Sequence, residues 1–130
     1  MTLKKELKSE IVNLSTIKEY FSEDTSFLIE LITAYLSDTI PRIEIIEKSL
    51  TEVDYIELKN VSHFLKSSFG LMGIKCLEEI IELENLAKIE APKKIIHEKL
   101  NFIIPICRES IVEYECILKK IKNEFYYKNQ

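Results

Sequence analysis

Two histidines stand in this chain of 130 residues, and their rings are the side chains best suited to proton or nucleophile chemistry near neutral pH. His63 lies in VSHFLKSSFG, positions 61–70, with Lys59 four residues before it and Lys66 three residues after. Ser67 and Gly70 follow at the fourth and seventh positions. A nucleophilic imidazole requires one ring nitrogen free, the other oriented by a partner, and room for a second molecule to close over it. The lysines suit an anion attached to such a ring, and the small residues leave its approach open. His97 in KKIIHEKL offers less. HEKLN lacks the second histidine of an HExxH metal motif, and Lys99 beside it repels a cation. No metal or cofactor site is expected. Cys76, Cys107 and Cys116 have no CxxC spacing and read as reduced packing residues.

These residues must be positioned by helices. Two glycines and three prolines in the whole chain leave long uninterrupted segments, and apolar residues recur at steps of three and four. Phe27, Leu28, Leu31, Ile32, Tyr35, Leu36, Ile43, Ile46 and Leu50 form one stripe, with Pro41 inside it predicting a bend and not a stop. Ser22, Asp24, Thr25 and Ser26 before it are capping residues. Leu58, Val61, Leu65, Phe69 and Met72 form a second stripe, closed by Gly70 and Gly73 in a helical hairpin. A third runs through Leu77, Ile80, Ile81, Leu83, Glu84, Leu86 and Ala87. Pro92 suits the first turn of a last helix carrying Ile96, Leu100, Ile103, Cys107, Ile111, Tyr114, Leu118 and Ile121, with a second bend predicted at Pro105. The fold class is therefore all-α: an up-and-down four-helix bundle with helices at roughly 24–50, 53–70, 74–89 and 92–126. Leu7, Ile11, Leu14 and Ile17 predict a short additional N-terminal helix. Residues 1–130 form a single domain.

On the second helix the stripe defines an inward direction. Stepping about 100° per residue from Leu58, the core residues fall within roughly 60° of it and His63 at roughly 140°. His63 therefore points outward, in line with Ser67, Gly70 and Ile56, with Lys59 and Lys66 on its flank. The following helix returns antiparallel, so Glu82 or Asn85 is the expected hydrogen-bond partner of the ring. Ile56, outward and apolar, is the expected docking contact for a partner.

Composition narrows the partners. A balance of 46% hydrophobic and 31% charged residues is that of a folded chain. The net charge of −4, with both signs interleaved, carries no footprint for nucleic acid or an anionic membrane. The N-terminus MTLKKELKSE lacks the apolar core of a secretory signal, and a cytoplasmic location is expected.

SHFLKSSFGLMG resembles the signature of histidine-containing phosphotransfer domains. In that family a phosphorylated histidine is followed by a variable residue, an aliphatic residue, lysine, glycine, small residues and a second glycine that closes the helix. His63 matches the phosphorylated histidine, Leu65 the aliphatic position, Lys66 the lysine, Ser68 a small residue and Gly73 the closing glycine. Ser67 departs from the pattern, standing where the family usually has glycine, and adds a hydroxymethyl group beside the ring. FSEDTSFLIELITAYLSDTIPRIEIIEKSL and CLEEIIELENLAK resemble the helices on either side, so the likeness spans roughly residues 20–120. It implies a phosphorelay carrier that takes a phosphoryl group from a receiver-domain aspartate onto Nε2 of His63 and passes it to another, with Lys66 stabilising the phosphoryl group. The implied partners are response-regulator receiver domains and a hybrid sensor histidine kinase, and any Mg2+ belongs to the receiver. A free-standing monomer without kinase activity of its own is expected, there being no glycine-rich loop for ATP. The alternative is an adaptor bundle that binds receivers or other helical partners through the Ile56 patch without carrying phosphate.

Overall fold

The computed structural model describes residues 25–128, and within them the apolar periodicity is realised as four α-helices: α1 (Thr25–Lys48), α2 (Tyr55–Met72), α3 (Leu77–Lys88) and α4 (Lys93–Lys128). The expected N-terminal helix, with Leu7, Ile11, Leu14 and Ile17, and the capping residues Ser22 and Asp24 lie outside the described residues. Short connections force successive helices to run antiparallel. α1 packs on α4 and α2, and α3 packs on α2 and α4, which closes the four into a bundle. Helix ends fall within a few residues of the expected ones, α2 running past Gly70 to Met72.

Local chemistry explains where α2 starts and stops. Asp54 is extended (φ −111°, ψ 103°) and its carboxylate accepts from the Glu57 amide at 3.1 Å, capping the first turn. At the other end Gly73 adopts the left-handed conformation (φ 68°, ψ 34°), and the amides of Gly73 and Ile74 both donate to the Phe69 carbonyl. Only glycine takes that conformation freely, so Gly73 sets the α2–α3 hairpin. The α3–α4 reversal has no glycine. Glu90 takes the left-handed position there with φ 51°, and the Ala91 amide closes the turn on the Leu86 carbonyl at 3.0 Å. Pro92 stands just before α4, where its carbonyl accepts from Ile95 and Ile96. Pro41 and Pro105 sit inside helices that continue past them, on exposed positions.

The stripes meet as a core of Leu28, Ile32, Leu58, Leu65, Phe69, Ile80, Leu83, Ile96, Leu100, Tyr114 and their neighbours, each nearly or fully buried. Two tyrosines supply polar ties within it. Tyr114 donates to the Met72 carbonyl at 2.6 Å, and Tyr35 meets the Ser110 hydroxyl at 2.9 Å, which itself donates to the Cys107 carbonyl. Burial pushes the ionisation of both phenols well up, so they remain neutral donors. Cys76 and Cys107 are core residues as expected, whereas Cys116, also expected to pack, is exposed. Phe27 and Ile81, assigned to inward stripes by periodicity, are 45% and 37% exposed. Among the described residues no helix is long and apolar enough to cross a membrane.

Candidate functional site

His63 projects from the outer face of α2, as its angular offset from the core stripe predicts, and its side chain is 69% exposed. The inward neighbours Ser62 and Leu65 are fully buried. The helix under the ring is therefore packed against the core while the ring is open to a second molecule. Ser67 and Gly70 are exposed on the C-terminal side. A methyl group built on Gly70 meets only Leu77 Cδ2, at 3.9 Å, so internal packing leaves that approach uncrowded.

The orienting partner of the ring is Glu84 of α3, which accepts from His63 Nδ1 through Oε2 at 2.8 Å. This corrects the expectation of Glu82 or Asn85. Glu82 turns toward α4 and pairs with Lys99, and Asn85 is exposed, with its carbonyl closing the end of α3. Glu84 sits on the inward side of α3, only 4% exposed, because the hairpin register lays that side against α2. Periodicity alone placed Glu84 in the apolar stripe, and its carboxylate is buried where an apolar side chain was expected.

A buried carboxylate must be neutralised. Lys66 Nζ donates to Glu84 Oε1 at 3.0 Å, and Lys88 Nζ, one turn along α3, stands 3.7 Å from Oε2. Burial alone would raise the Glu84 carboxyl above the ordinary carboxylate range. The hydrogen bonds from Lys66 and His63, with the positive charges of Lys66 and Lys88, outweigh that and hold it below. Glu84 is thus ionised and accepts only, so Nδ1 of a neutral His63 carries the proton and Nε2 keeps its lone pair. This is the arrangement that a nitrogen nucleophile requires.

Of the other expected residues, Lys59 is half-buried one turn before His63 and forms no ion pair among the described residues. Ile56 is 72% exposed, two turns before the ring, in the outward direction its spacing predicts. Sequence reasoning missed an open groove of about 630 Å³ between α1 and α2, lined by Pro41, Arg42, Ile45, Asn60, Val61, His63 and Phe64. Arg42 lies over the Phe64 ring, its guanidinium carbon 3.5 Å from the centroid, and Nη1 donates to the Asp38 carbonyl at 2.7 Å. The pairing of α1 with α2 has no signature in either helix alone. Lys88 was legible only as the residue four after Glu84. No group of three or more metal-ligating side chains occurs among the described residues. The chain matches no family model, no curated protein and no solved structure.

Proposed function

We propose that this chain is a phosphorelay carrier whose phosphorylated residue is His63. The observation that carries the reading is the hydrogen bond from His63 Nδ1 to the buried, ionised Glu84, which leaves Nε2 as a free nucleophile on an exposed ring. The resemblance of SHFLKSSFGLMG to the phosphotransfer signature supports it from the sequence side. The partners are receiver domains, one loaded by a hybrid sensor kinase, and the chain is the intermediate between them. The Nε2 lone pair attacks the phosphorus of an aspartyl phosphate. The bond from phosphorus to the carboxyl oxygen breaks, and the aspartate leaves as carboxylate with the electron pair. The ring becomes a phosphoimidazolium that keeps its proton on Nδ1, where Glu84 balances the new positive charge. In the reverse sense a second aspartate attacks phosphorus, the P–N bond breaks, and its pair returns to Nε2. Divalent metal for the step resides on the receiver.

Labelled receiver aspartyl phosphate mixed with the chain tests this directly. Label is expected on the chain in a form stable to base and lost in acid, because the phosphoramidate leaves once its nitrogen is protonated. His63→Gln abolishes it and His97→Gln leaves it intact. The exposed Ile56 and Phe64 on α2 also suit an adaptor that binds without transfer. Tight receiver binding with no label on the parent protein would establish that second reading in place of the first.

A further inference from the structure

The cations near His63 differ in what already occupies them. Lys66 and Lys88 lie on the α3 side and are held by Glu84. Arg42, on α1, forms no ion pair among the described residues, and only the Phe64 face and the Asp38 carbonyl engage it. Its full charge therefore stands beside the groove that His63 also lines. The two ring nitrogens diverge, so the bond from Nδ1 to Glu84 on α3 leaves Nε2 directed away from that carboxylate. α1 borders α2 on another side, and there the His63 rim carries Arg42 and the exposed amide of Asn60. A guanidinium stacked on an aromatic face keeps N–H donors free at its edge, in the fork geometry that suits a tetrahedral oxyanion.

We propose that Arg42 is a phosphoryl-binding residue: once Nε2 of His63 carries a phosphoryl group, its oxygens lie at the groove rim and accept hydrogen bonds from the Arg42 guanidinium, with the Asn60 amide as a neutral donor. The inference rests on the reading of His63 as the phosphorylated residue. It divides the cations by task. Lys66 and Lys88 hold Glu84 and so the ring, and Arg42 holds the group the ring carries. As the P–N bond breaks in a loose transition state, negative charge drains from the phosphoryl oxygens, so a cation on those oxygens favours the intact phosphohistidine and slows its hydrolysis.

The whole chain can be loaded without any partner by phosphoramidate. Nε2 attacks phosphorus, the P–N bond of the donor breaks, and ammonia leaves with the electron pair. Phosphorus NMR then follows loss of the His63 signal and the titration of the phosphoryl group itself, with His63→Gln identifying the signal. Arg42→Ala is expected to shorten the half-life about tenfold, the effect of one partly exposed charge-assisted contact. It should also move the phosphoryl titration to higher pH, a change that a merely structural arginine would not produce. Arg42→Lys should restore part of both, and Lys99→Ala, whose ammonium is held by Glu82 on the α4 side, should stay near the parent. A half-life and titration unchanged in Arg42→Ala, or changed as much in Lys99→Ala, overturns the inference. A parent protein that takes no label on His63 from phosphoramidate or from receivers overturns the relay reading and this inference together. Label from phosphoramidate with none from any receiver overturns the relay alone, and the Arg42 comparison still decides the phosphoryl contact.

Discussion

Glu84 and His63 meet across the α2–α3 hairpin at 2.8 Å, with the carboxylate 5% and the imidazole 69% exposed. The anchored partner is buried and the reactive one is open, so the ring is held without being covered. Replacing Glu84 by Gln keeps the shape and removes the charge that fixes the Nδ1–H form and balances the phosphoimidazolium. Transfer from receiver aspartyl phosphate is expected to slow by about tenfold or more, since orientation and charge both weaken. Quench-flow rates for the parent and Glu84→Gln check this, and equal rates would remove Glu84 from the mechanism.

The same carboxylate predicts an acid dependence of stability. Its folded-state ionisation is held below the ordinary value of 4.5. The stabilisation is therefore present above that value and is lost as pH falls through the lower, folded-state one. Urea unfolding of the parent and Glu84→Gln from pH 7 to pH 3 should show the advantage of the parent shrinking toward the acid end. An advantage that is constant or grows in acid contradicts the assigned hydrogen bonds.

Lys66 holds the other oxygen of Glu84 at 3.0 Å. Its removal leaves a buried carboxylate with the hydrogen bond from His63 and the more distant Lys88 as the remaining cation. Lys66→Ala is expected to lower transfer by roughly tenfold, or about 1.4 kcal/mol, with Lys66→Arg retaining part of the rate. Transfer kinetics check it, and an alanine variant as fast as the parent would leave Lys88 and His63 as sufficient support for the carboxylate.

Leu65 is 0% exposed and His63 open, two positions apart on one helix. Leu65→Asp should cost several kcal/mol, on the order of a buried unpaired charge, or unfold the chain. His63→Gln, exposed and with an amide that still donates toward Glu84, should cost far less, on the order of 1 kcal/mol or below. Denaturant midpoints of the two variants test the orientation of α2, and comparable losses in both would contradict it.

Glu90 holds φ 51° in the α3–α4 turn, a conformation that costs a residue with a Cβ. Glu90→Gly is expected to stabilise the fold by roughly 0.5–1 kcal/mol through relief of that cost, less the entropy glycine adds to the unfolded chain. Thermal melting checks the sign, and a lower melting temperature would mean that the Glu90 side chain contributes more than its backbone strain removes.

The four described helices, the outward position of His63 and the reversal at Gly73 were all legible in the sequence, because each depends on local geometry. A step of about 100° per residue converts spacing into direction, and glycine alone adopts the left-handed turn freely. Which residue of α3 reaches the ring was not legible. Glu82 and Glu84 differ by two positions, about 200° around the helix, so they lie on nearly opposite sides of α3, and which of them reaches the ring depends on the rotation and depth at which α3 packs on α2. The sequence offered Glu82 and Asn85 as partners and set Glu84 among apolar residues. The fold buried that side of α3 against α2, and a buried carboxylate gathers the donors within reach, here His63, Lys66 and Lys88. Arg42 over Phe64 belongs to the same class, since it joins residues far apart in the chain that only the packing of α1 on α2 brings together. Periodicity determined which way each helix faces. Tertiary packing decided which side chains meet, because contacts between helices depend on register and depth, which no single helix encodes.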